Sequence, residues 1–232
     1  MSDMKEFPTQ QVLELACAAQ RINGAYLKEE EAIHADQGNI LYFKISNKAL
    51  MRYTLDPENQ VLIGMEVYMT KLNILQEDVV LAAAIKKHFR KFMFSAIDGE
   101  NDFQTNINSI LNGNTVAINQ FGYVACLPSV YDRDLVHAKI KKAARSVEDG
   151  YLGEIGSNLK DLDAEIISSI KSKNFEGYNI DAIINNRMVS WLSKTNLTLG
   201  NCIIVRAKVK DHSKHWKHQN DVTRLNYVKA AQ

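Results

Sequence analysis

Cys202-Ile203-Ile204-Val205-Arg206-Ala207-Lys208-Val209-Lys210 is the stretch on which the fold turns. Apolar and cationic residues alternate along it, and a period of two marks a strand with one buried face and one wet face. On that phase Ile203, Val205, Ala207 and Val209 point one way, and Arg206, Lys208 and Lys210 the other. Upstream, Tyr178–Ile184 and Arg187–Leu192 flank Asn185-Asn186. Two residues that tolerate positive φ between two β-rich runs signal a tight hairpin. Leu162–Lys171, rich in isoleucine, supplies a strand before them, and Ser193–Gly200 reads as a polar connector. Downstream, Asp211–Asn220 reads as a loop and Asp221–Lys229 as a last strand.

These make five strands: a meander of three, a connector, then a hairpin with a longer loop. That order and size fit a five-stranded OB-type barrel, which binds oligonucleotides on its second and third strands and with the loops after the first and fourth. Here those loops are Ser172–Gly177 and Asp211–Asn220. The alternative is a plain antiparallel sheet packed on the N-terminal helices, which needs no ligand.

The first part of the chain mixes helix and strand. Thr9–Arg21 reads as a helix with a capping Thr after Pro8, ending near Asn23-Gly24. Ile40–Ile45 and Leu50–Leu55 read as short strands, the second followed by the turn Asp56-Pro57-Glu58-Asn59. Val61–Thr70 reads as a strand or the lead into a helix, and Leu72–Phe94 as helical. The basic run from Lys86 to Lys91 is read as a solvated helix end in preference to a phosphate site. Phe103–Leu111 reads as a helix, Thr115–Ile118 and Tyr123–Leu127 as strands, and Tyr131–Val147 as a basic amphipathic helix. Glu148-Asp149-Gly150 closes that helix. The expected fold class is therefore α+β, with an N-terminal domain over 1–149 and an OB-like barrel over 150–232.

The composition sets outer limits. The chain has 232 residues, 46% hydrophobic and 24% charged, with 11 Gly and 3 Pro. Disorder and collagen-like repeats do not fit those figures. Cys17, Cys126 and Cys202 are too few and too widely spaced for a disulfide framework or a cysteine zinc site. No secretory leader is visible, and the longest apolar run, Val79–Ile85, is too short to span a bilayer. The expectation is a soluble cytoplasmic protein with no membrane partner. The formal net charge of +1 hides an asymmetry. Over 151–232, twelve Lys and Arg against eight Asp and Glu give +4, leaving −3 for the first 150 residues. Over 194–232 the balance is eight against two, or +6.

Several short stretches carry a resemblance. Gly150-Tyr151-Leu152-Gly153-Glu154-Ile155-Gly156, Met188-Val189-Ser190-Trp191-Leu192-Ser193, Lys208-Val209-Lys210-Asp211-His212 and Val222-Thr223-Arg224 follow one another in order. This third of the chain resembles the OB-like C-terminal domain found in phage-encoded DNA-metabolism proteins. The stretch Ala16–Gly24 is also similar, more weakly, to the first helix of phage proteins. The resemblance departs at Lys214–Gln219, where that domain carries a different loop, and the zinc-ribbon cysteines of longer relatives are absent. It implies phage origin, a host cytoplasm and DNA handling in replication, recombination or protection.

Basic strand faces beside aromatic or imidazole rings suit a single strand: cations meet phosphates, and rings stack on bases. The candidate nucleic-acid-binding residues are Lys171, Lys173, Trp191, Lys194, Arg206, Lys208, Lys210, His212, His215, Trp216, Lys217 and Arg224. The competing reading is a solvated strand with Trp216 folded onto the barrel. The spacing of His212, His215 and His218 beside Asp211 and Asp221 raises a metal site, but three rings at that spacing in a loop do not converge. No nucleophile elbow or Walker loop occurs, and the glycines at 150, 153 and 156 precede a strand, unlike a dinucleotide fingerprint. The expectation is a non-catalytic protein, without cofactor or metal, that binds single-stranded DNA, with RNA left open. A protein–protein adaptor or inhibitor of a nucleic-acid machine is the alternative, and a metal-dependent nuclease a third.

Overall fold

Pro8 stands where the first strand passes into the first helix, and its fixed φ suits that junction. In the computed structural model β1 (Glu6–Pro8) leads into α1 (Thr9–Asn23), followed by β2 (Glu31–His34), β3 (Ile40–Lys44) and α2 (Asn47–Leu55). Next come α3 (Gln76–Arg90), α4 (Asp102–Asn112), β4 (Thr115–Ala117), α5 (Phe121–Ala125) and α6 (Leu127–Ser146). β5 (Asn158–Lys171), β6 (Tyr178–Ile184), β7 (Arg187–Ser193), β8 (Gly200–Lys214) and β9 (Asp221–Ala231) complete the chain. The structure describes residues 5–35, 39–57, 71–90, 102–172, 174–215 and 219–231. The expected strand or helix lead at Val61–Thr70 lies outside them. Two compact units form, Met1–Arg133 and Asp134–Gln232, and the fold class is α+β.

In the first unit α1 is the central element. Val12, Leu13, Leu15, Ala16, Cys17, Ala18 and Ala19 are all buried, because α2, α3 and α5 pack around it. Its N-cap is Pro8. Thr9, expected as the cap, is instead the first helical residue, and its hydroxyl donates to the Gly113 carbonyl at 2.8 Å. β1 pairs with β4, and β2 with β3.

Two expected strands are helices. Leu50–Leu55 belongs to α2, whose N-terminus is capped by the Ser46 hydroxyl accepting from the Ala49 N–H at 3.3 Å. With Asn47, Leu50 and Met51 buried, the segment presents a helical stripe that overrides its β-leaning composition. Tyr123–Leu127 covers the end of α5 and the start of α6, and Phe121, Val124 and Ala125 bury at helical spacing.

The second unit is built on a closed five-stranded barrel in the order β5-β6-β7-β9-β8. β7 and β9 run parallel, and the other pairings are antiparallel. Asn185 and Asn186 take φ of 47° and 58°, which closes the β6–β7 hairpin as its sequence predicts. Ile180, Ala182, Ile184, Val189, Ile204 and Leu225 are among the side chains that fill the interior. Several boundaries differ from expectation, most of all around β5 and β8. β5 begins at Asn158 and not Leu162, β8 runs on to Lys214, and the last loop shrinks to residues 215–220.

The phase of β8 also differs. Register shifts against β9 fall between Ile204 and Arg206, and Val205 is the extra residue. A one-residue bulge inverts which side chains face inward. Cys202 and Ile204 therefore point into the barrel before it, and Ala207 and Val209 after it. Ile203, expected inside, is 49% exposed.

From residue 134 onward α6 belongs to this unit. Ile140, Ala143 and Ala144 pack on Ile167, Met188 and Val222, with Ile183 beside them. Ile183, Met188 and Val222 are register neighbours across β6, β7 and β9, so the helix covers one end of the outer β6–β7 surface.

Candidate nucleic-acid interface

The cations are sorted by strand register. On the outer surface of β5, β8 and β9, Lys160 stands opposite Arg206, and Arg206 opposite Lys229. The next row places Asn158 opposite Lys208, and Lys208 opposite Asn226. All of these cations are solvent-exposed. A shallow groove of about 390 Å³ runs between Asn158, Lys160, Arg206, Lys208 and Tyr227. Lys210, the extra residue at a second bulge of β8, continues the exposed basic side beyond that groove.

Directly opposed side chains in a sheet lie about 5 Å apart at Cβ, and like charges there repel. Among the described residues, no carboxylate lies within ion-pair distance of Lys160, Arg206, Lys208 or Lys229. The row has no internal compensation, so a polyanion laid across it relieves repulsion as well as gaining attraction. The surface turns acidic further along β5, where Asp163 and Glu165 stand opposite Ile203 and Asn201. The positive part of this surface is thus limited to the Lys160 end of β5.

The outer surface of β6 and β7 has a different character. Ile170, Asn179 and Leu192 form one cross-strand row, and Ser168, Asp181 and Ser190 the next. The Ser168 hydroxyl donates to Asp181 Oδ2 at 2.7 Å. Ile170, Phe175 and Leu192 are exposed. Neither row contains a cation. OB-type barrels bind their ligands on the second and third strands, and these two rows over β6 and β7 mix apolar, neutral polar and acidic side chains.

The remaining residues expected to form the groove are dispersed. Lys171 and Lys194 sit at the far end of β5 and just past β7, beside the 172–177 loop. Trp191 faces the interior opposite Ile180 and is 7% exposed, so its ring is spent on core packing. Arg224 lies 3.7 Å from Asp211 across β8–β9. Lys173, Trp216 and Lys217 lie outside the described residues.

His212 belongs to a clasp on the segment leading into β5. Its ring stacks on Tyr151, with centroids 4.1 Å apart and planes 3° from parallel. Its Nε2 donates to the Gly153 carbonyl at 3.0 Å. Asp221 accepts from the Gly150 N–H at 2.8 Å and from Lys214 Nζ at 2.5 Å. The Lys214 hydrogen bond, and after it that from Tyr151, hold the Asp221 carboxyl below its usual range. The Thr223 hydroxyl accepts from the Leu152 N–H at 2.8 Å. Gly150 has φ of 109°, and a Cβ there would meet the Arg187 guanidinium at 2.7 Å. The regularly spaced glycines thus serve a lead-in folded against β8 and β9. His215 closes the last loop, its N–H donating to the Asn220 carbonyl at 2.8 Å. His218 lies outside the described residues. Among those described, no three His, Cys, Asp or Glu side chains are grouped to hold a metal ion.

Lys160, Tyr227 and Lys229 are the cationic and aromatic residues of this surface that the sequence does not single out. Lys160 falls in the part of β5 that the sequence reading leaves out, and Lys229 meets Arg206 only once the register is known.

Comparison of the chain with family models, with curated proteins and with solved structures gives no match. Among the described residues no helix is long and apolar enough to cross a membrane.

Proposed function

We propose that this chain binds single-stranded nucleic acid without catalysing its conversion, through the outer surface of β5, β8 and β9. The observation that carries the reading is the cross-strand row Lys160, Arg206 and Lys229, which has no carboxylate partner among the described residues and adjoins Lys208. Cations so placed neutralise successive phosphates, and a strand bound this way releases counterions and weakens as salt rises. The resemblance of the C-terminal third adds a setting: replication, recombination or protection of phage DNA. Anisotropy of a fluorescein-labelled oligothymidylate at low salt tests this. Saturable binding that is lost on adding salt is expected, and no binding even at low salt refutes it.

One feature favours a second reading, docking of a protein. Ile170 and Leu192 are exposed in one cross-strand row that carries no cation, and Phe175 is exposed in the loop that follows β5. Binding of a protein of the same nucleic-acid machine, blocked by Phe175→Asp and indifferent to Arg206→Ala, is the outcome that supports it.

A further inference from the structure

Tyr227 is out of place as a structural residue. It is 79% exposed, the highest value among the exposed large hydrophobic side chains, and its backbone takes φ of 54°. That left-handed conformation disfavours a bulky L-residue, and glycine or asparagine adopts it more readily. The register explains the angle. Arg206 pairs with Lys229 and Lys208 with Asn226, so Ala207 alone faces two residues, Tyr227 and Val228. A bulge of this kind re-aims a side chain, and strained positions of this kind cluster at functional sites. This bulge places the phenol ring on the wall of the groove that Lys160, Arg206 and Lys208 also line. A glycine would make the same bulge at lower conformational cost. A ring turned to solvent beside cations is what a base-stacking platform requires.

We propose that Tyr227 is that platform, receiving one unpaired base while the neighbouring cations hold the flanking phosphates. The inference rests on the nucleic-acid reading and deepens it, because a stacked base must be free of a duplex. The site therefore discriminates single strands from duplexes of equal phosphate number. Base–aromatic stacking measured by alanine substitution corresponds to about 5- to 150-fold in affinity.

The test uses the full chain with Tyr227→Ala, Tyr227→Gly and Tyr227→Phe, titrated against an oligothymidylate and a blunt duplex. Tyr227→Ala and Tyr227→Gly should lose single-strand affinity by that factor, keep the wild-type salt slope and leave duplex binding unchanged. Tyr227→Phe, which keeps the ring, should bind within about 2-fold of wild type. Tyr227→Gly should melt no lower than wild type, since it relieves the backbone; a purely structural tyrosine would lower the melting temperature instead. Wild-type binding that Tyr227→Ala leaves unchanged overturns the stacking role and leaves the phosphate reading standing. Absence of wild-type binding overturns both.

Discussion

Replacing Arg206 and Lys208 by alanine removes two of the four cations, Lys160, Arg206, Lys208 and Lys229, that the register gathers on one surface. The size of the effect follows from counterion release. Each phosphate neutralised on a single strand contributes about −0.7 to the slope of log K against log salt. With all four cations engaged the slope is about −2.8, so raising salt from about 50 to about 200 mM weakens binding about 50-fold. The double variant retains two contacts, a slope of about −1.4 and a loss of about 7-fold over the same range. Anisotropy titrations of one short labelled strand at four salt concentrations give both slopes. All four side chains are exposed, so the folded protein should tolerate the change to within about 0.5 kcal/mol. A matched control, Lys171→Ala with Lys194→Ala, alters two cations at the far end of β5 and just past β7, and should leave the slope at its wild-type value. Equal slopes for wild type and the Arg206/Lys208 variant refute the reasoning, and so does a reduced slope in the control.

Three further outcomes test the fold, the first in the N-terminal unit and the other two in the barrel. Asp78 is 2% exposed and accepts from Arg21 Nε at 3.1 Å, Arg21 Nη2 at 2.8 Å and the Leu75 N–H at 2.8 Å. Burial pushes its carboxyl up, but the Arg21 and Leu75 hydrogen bonds and the Arg21 charge outweigh burial and hold it below the usual range. A depressed folded value adds stability above the unfolded value, about 3.9, and the addition is lost as pH falls through the folded value. Asp78→Asn should lower the melting temperature at neutral pH, and the gap to wild type should narrow in acid. Trp191→Ala should cost about 3–5 kcal/mol in urea unfolding as a core cavity, while Trp191→Phe keeps strand affinity. Gly177 has φ of 127°, and a Cβ there would stand 2.4 Å from the Ser193 carbonyl oxygen. Gly177→Ala should therefore destabilise the barrel by more than about 1 kcal/mol, read by the same unfolding curves.

The barrel was legible because its signals are local. Asn185-Asn186 announces its own turn, and the alternation of β6, β7 and the end of β8 follows from neighbours in sequence. Leu50–Leu55 and Tyr123–Leu127 were misread because their β-leaning composition was overruled by packing on α1 and by the Ser46 cap. The inward set of β8 failed at Val205 for a similar reason, since a bulge is decided by the partner strand. The same holds for the candidate site. Arg206, Lys208 and Lys210 could be picked out as one wet face of a strand. That Lys160 and Lys229 join Arg206, and that Trp191 turns inward, depends on register between strands far apart in sequence. The formal charge of +1 carries no trace of a row in which three cations stand side by side.

Backbone amide resonances followed during titration with an oligothymidylate test the central claim most directly, because they report which surface is touched. Shifts should cluster at Lys160, Arg206, Lys208, Tyr227 and Lys229. Shifts concentrated at Ile170, Phe175, Asn179 and Leu192, or none at saturating strand, would contradict it.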